Sequence, residues 1–63
     1  MIEVYVYHVP DVEESRVQYD FESGKFTCIV GRNGHVEQVR AGCRQMVRDI
    51  TGQECRFVEQ QEQ

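Results

Sequence analysis

Three cysteines (Cys28, Cys43, Cys55) and two histidines (His8, His35) are the side chains of this 63-residue chain best suited to chemistry. Three thiolates and an imidazole would make a tetrahedral zinc set, and a metal would supply stability that a small fold lacks. The spacing argues against it, because there is no C-x-x-C pair. Each cysteine also falls at a core-facing position: Cys28 in a strand, Cys43 in a helical apolar stripe, Cys55 in phase with Phe57. Buried free cysteine behaves as a small hydrophobe. Nucleophilic catalysis needs a thiol or hydroxyl beside an activating base, and a core-facing thiol has none. Glu13 and Glu14 have no partner at a readable spacing, and G-R-N-G at Gly31 to Gly34 is too short for a phosphate loop and lacks the following Lys-Ser/Thr. The residues therefore predict no catalytic group, no metal and no cofactor.

The second chemistry is that of arginine. Six of the seven basic residues are arginines, suited to bidentate contact with carboxylate or phosphate. Arg40, Arg44 and Arg48 recur every fourth residue, with Arg32 and Lys25 as further bases, a set that could meet phosphates of nucleic acid or an acidic protein. The net charge of −4 opposes nonspecific nucleic-acid binding. It is unevenly spread: residues 1–24 set six acids against Arg16 alone, while residues 25–52 carry an excess of bases. Three arginines without interleaved aromatic residues more often form an ordinary solvated helix face. Nucleic-acid binding through Arg40, Arg44, Arg48, Arg32 and Lys25 is thus the alternative expectation.

The elements that must position these groups can be read from periodicity. Ile2 to Val9 is β-branched and aromatic nearly throughout, apolar on both faces, and predicts a central strand ended by Pro10. An acidic loop, Asp11 to Ser15, follows. Val17 to Val30 reads as a hairpin turning at Ser23-Gly24, with Phe21 opposite Phe26, Tyr19 opposite Cys28 and Val17 opposite Val30. From Val36 the apolar spacing becomes helical (Val36, Val39, Cys43, Met46, Val47, Ile50), with Asn33 or Gly34 as start and Gly52 as stop. A rival reading makes His35 to Val39 a strand and starts the helix near Ala41. Gly42 weakens the helix by roughly 1 kcal/mol against alanine. Glu54 to Glu59 is a short last strand, and residues 60–63 a frayed polar tail.

The expected fold is α+β: one domain over residues 1–63, ordered β-β-β-α-β, with a mostly antiparallel sheet and one helix on one face. The last strand joins the first in parallel, giving order 3-2-1-4, or lies outside the third. Val17, Tyr19, Phe21, Phe26, Cys28 and Val30 lie beneath the helix. The other face then carries Tyr5, Tyr7, Thr27, Ile29 and Val58, too apolar for plain solvated surface. Those five residues are the expected seat of a protein partner, and homodimerisation would serve a chain too short to bury a large core. No stretch reaches the roughly 20 apolar residues of a membrane span. No basic-then-apolar leader is apparent, and three cysteines without a framework suit reduced thiols in the cytoplasm. The expectation is a small, non-catalytic, cytoplasmic interaction or regulatory module.

Overall fold

The computed structural model describes residues 1–60; of the expected frayed tail, residues 61–63 lie outside the described residues. Gln60 is not frayed, since its N–H donates to the Val6 carbonyl at 3.0 Å. Four strands, β1 (Ile2–His8), β2 (Arg16–Asp20), β3 (Lys25–Val30) and β4 (Cys55–Glu59), and one helix, α1 (Val36–Thr51), follow the order β-β-β-α-β. The helix begins at Val36 and takes in residues 36–39, the helical reading of the spacing. Its N-cap is His35, which makes no side-chain capping bond, rather than Asn33 or Gly34. Gly52 closes it in the left-handed conformation, its N–H donating to the Arg48 carbonyl.

The sheet is mixed, and its order is β2-β3-β1-β4. This corrects two expectations, the mostly antiparallel sheet and the order 3-2-1-4. β1 pairs in parallel with both β3 and β4, and only β2 with β3 is antiparallel. Burial explains the choice. β1 and β3 are apolar along most of their length, which suits strands with a neighbour on either side. β2 alternates Arg16, Gln18 and Asp20 with Val17 and Tyr19, and a strand with one polar face is at home on an edge.

The hairpin register also differs. Tyr19 stands opposite Phe26, Val17 opposite Cys28, and Asp20 opposite Lys25, so the connection is the four residues Phe21 to Gly24. A two-residue Ser-Gly turn would require positive φ at Ser23, or glycine in the first position rather than the second. The longer loop needs it only at Gly24 (φ 70°), and no other residue type among those described has positive φ. Asp20 supports the loop, its carbonyl accepting the Gly24 N–H at 2.7 Å and its Oδ1 the Glu22 N–H at 3.0 Å. As a result Phe21 leaves the core and is 87% exposed.

The slip is of two residues, so every strand side chain keeps its expected face. Val4, Val6, Phe26, Cys28 and Val30 meet Val39, Cys43 and Val47 of α1 in one core, with Ile2, Val17, Tyr19, Val36, Met46, Cys55 and Phe57 packed around it. Gly31, buried at the end of β3, lies under the acidic loop, where a Cβ would stand 2.7 Å from the Val12 carbonyl oxygen.

Candidate interaction surface

Strand alternation places one set of side chains on the sheet face away from α1. Its middle row crosses all four strands: Gln18 beside Thr27, Thr27 beside Tyr5, Tyr5 beside Val58. The next row sets Arg16 beside Ile29 and Ile29 beside Tyr7. The five residues expected to seat a partner, Tyr5, Tyr7, Thr27, Ile29 and Val58, are therefore immediate neighbours. They come from β1, β3 and β4: the parallel pairing of β4 with β1 is as expected, while β3 lies beside β1 and not beyond β2. Tyr7 is 42% exposed and the other four are half-buried by one another and by the backbone.

Charges frame this centre on the side of the hairpin loop. Asp20 stands opposite Lys25 across β2 and β3, and Glu3 opposite Arg56 across β1 and β4. Arg56 forms an ion pair with Glu3, whose other carboxylate oxygen accepts the Tyr5 hydroxyl at 3.3 Å. The exposed Arg56–Glu3 pair is worth little in stability, and Asp20 and Lys25 are not within ion-pair distance of each other, so the apolar rows are the distinctive feature. A shallow hollow of about 580 Å³ beside Gln18, Asp20, Lys25 and Thr27 continues the face toward the loop.

The arginine row lies on the opposite side of the molecule, along the flank of α1 above β4. Arg40 donates to Glu59 Oε2 at 2.6 Å, and its guanidinium lies 4.9 Å from the centre of the Phe57 ring. Arg44 lies over the same ring at 5.3 Å, and Arg48 pairs with Glu54. Cation–π contact with Phe57 thus fastens the helix flank to β4. Of the three, only Arg44 has no carboxylate partner among the described residues. Arg32 is elsewhere, donating to Glu13 Oε1 and the Pro10 carbonyl, each at 2.9 Å. Lys25 is on the other sheet face, so the five bases do not form one surface.

One polar cluster escaped sequence reading because its members are distant in the chain. His8 Nε2 lies 2.9 Å from Glu59 Oε1, on the carboxylate that also takes Arg40. The His8 hydrogen bond and then Arg40 hold the Glu59 carboxyl below the ordinary carboxylate range. Only the pairing of β1 with β4 brings these residues together.

The thiols are free, Cys28 and Cys43 buried and Cys55 partly so. Burial raises all three, and with the neighbouring thiols pushes Cys43 up to about 12. Burial therefore disfavours the thiolate, the form that acts as a nucleophile. No group of three or more His, Cys, Asp or Glu side chains among the described residues is arranged to hold a metal ion. No helix among them is long and apolar enough to cross a membrane.

These features define a four-stranded mixed sheet with one face covered by a single helix and one face bare. No family model, curated protein or solved structure matches the chain.

Proposed function

We propose that this chain is a small, non-catalytic interaction module, acting by binding a protein partner on the sheet face away from the helix. The observation that carries this reading is the adjacency of Tyr5, Tyr7, Thr27, Ile29 and Val58 on a face with no covering layer. Tyrosine suits such a seat, bringing large contact area, a polar tip and little rotamer entropy to lose. With opposite charges set side by side on the rim, Glu3 by Arg56 and Asp20 by Lys25, the face favours a partner with an apolar centre over one of strong single-sign charge. Three free thiols suit a reducing compartment, so the cytoplasm is its proposed place of action.

The test compares proteins retained from source-cell extract by the native chain, by Tyr5→Glu and Ile29→Glu, and by Arg44→Glu on the opposite side. A partner kept by Arg44→Glu and lost by both face variants is the expected result. Identical retention by all four chains would end the proposal. The alternative, nucleic-acid binding through the helix arginines, has less in its support, because carboxylates of β4 and the preceding loop already meet Arg40 and Arg48. It requires binding that weakens steeply with salt and is lost in Arg44→Glu.

A further inference from the structure

β2 forms one edge of the sheet, and its residues Arg16, Val17, Gln18, Tyr19 and Asp20 carry a charge pattern that is its own complement. Edge strands expose unpaired backbone groups and are commonly blunted by charge, proline or a bulge. Here the two charges are opposite in sign and stand at opposite ends. An antiparallel pair of such strands centred on Gln18 sets Arg16 against Asp20 twice and Val17 against Tyr19 twice. Opposed residues share a face, so inward side chains stay inward. Shifting two residues either way leaves three residues of each strand paired and loses both ion pairs. The other edge has no such symmetry: β4 centred on Phe57 would set Arg56 against Val58 and Glu59 against Cys55.

Independent features of the same edge fit this pairing. Arg16 has no carboxylate within ion-pair distance among the described residues. Asp20 is fully exposed, and the Ser23 hydroxyl and Glu22 N–H hold its carboxyl below the usual range, so it is charged at neutral pH. Phe21 is 87% exposed, and its ring meets Tyr19 edge-on at 4.9 Å, which places it on the helix side of the sheet. On that side a groove of about 380 Å³ runs between β2 and α1, bordered by Ser15, Val17, Gln38 and Gly42. A Cβ on Gly42 would meet nothing within 4 Å. Continuing the register brings Phe21 level with Ser15 of the opposing strand, beside that groove.

We propose that two copies of this chain join edge to edge through β2, antiparallel about a two-fold axis at Gln18. Arg16 of each copy pairs with the partner's Asp20, and Phe21 enters the groove beside the partner's Gly42. The axis stands perpendicular to the sheet, so both bare faces lie on one side and form a continuous surface. The joint uses none of Tyr5, Tyr7, Thr27, Ile29 or Val58, and its failure would leave the docking role of that face intact.

Light scattering of the full chain over a concentration series tests the joint. A dimer is expected, with self-association weakened about tenfold or more by Arg16→Asp and restored by combining it with Asp20→Arg. Because Asp20 also supports the hairpin loop, a second route leaves it alone. Phe21→Ser and Gly42→Leu are each expected to weaken association about tenfold or more, with native circular dichroism and, at concentrations where the native chain is also monomeric, thermal stability close to native. A monomer at roughly 1 mM would overturn the proposal. So would a dimer that withstands Arg16→Asp, Phe21→Ser and Gly42→Leu, including one dispersed only by Tyr5→Glu.

Discussion

Glu59 holds His8 Nε2 at 2.9 Å on one carboxylate oxygen while the other receives Arg40 at 2.6 Å. One side chain therefore ties the ends of β1 and β4 to the second turn of α1. The lowered Glu59 carboxyl, owed first to His8 and then to Arg40, gives this tie a pH signature. A depressed carboxylate contributes stability above its unfolded value, 4.5 for Glu59, and loses it as pH falls through the lower folded value. Glu59→Gln is thus expected to melt below the native chain near neutral pH and to match it in acid below both values. A melting difference that stays constant as pH is lowered from neutral through the acid range would refute this account. The pair is half exposed, so the effect is expected to be small.

Gly42 and Gly31 are expected to respond oppositely to alanine. In mid-helix, Gly42 has open space where a Cβ would stand, so Gly42→Ala should raise stability by roughly 0.5–1 kcal/mol. At Gly31 the added carbon would press on the Val12 and Glu13 carbonyl oxygens, at 2.7 and 2.8 Å. Backbone there must move, and Gly31→Ala should cost roughly 1–3 kcal/mol. Urea denaturation of both variants measures the signs directly.

Phe21 and Phe26 form a second contrast, since hairpin register alone separates them. Phe26 is 1% exposed at the centre of the core, and Phe26→Ala is expected to cost about 3–5 kcal/mol. That approaches the whole stability of a domain this small, so the variant should be largely unfolded by circular dichroism. Phe21→Ala should change monomer stability by no more than about 0.5 kcal/mol. Equal losses in the two variants would contradict the observed register.

Thiol reactivity should rank by burial. Cys43, raised to about 12, and Cys28, both buried, are expected to resist alkylation at pH 8 until the chain unfolds. Cys55 is partly exposed and should react first. Time-resolved mass spectrometry of the native protein reads the order, and early modification of Cys43 would show a looser core than described.

Side-chain alternation along a strand and the 3.6-residue turn of a helix are local geometry, and whatever depended only on them was legible in the sequence. This is why Val17, Tyr19, Phe26, Cys28 and Val30 were assigned to one face and Thr27 and Ile29 to the other. Helical spacing likewise puts Val39, Cys43 and Val47 in the buried stripe, whereas Ile50, in the last turn of the same stripe, is 48% exposed. A two-residue slip of the hairpin preserves face, so these positions hold in either register. Phe21 differs because loop length, not alternation, decides where a turn residue points.

What the tertiary structure alone decided is adjacency. Backbone hydrogen bonds carry no residue code, so β1 could have paired with β2; competition for burial instead gave the centre to β1 and β3 and the edge to β2. The expected parallel pairing of β4 with β1 already sets Tyr5 beside Val58; the choice of β3 as the other neighbour of β1 added Thr27 and left Arg16 and Asp20 on an open edge. The sequence named the side chains of the candidate surfaces. Strand order, a long-range outcome of burying apolar area, determined which of them meet.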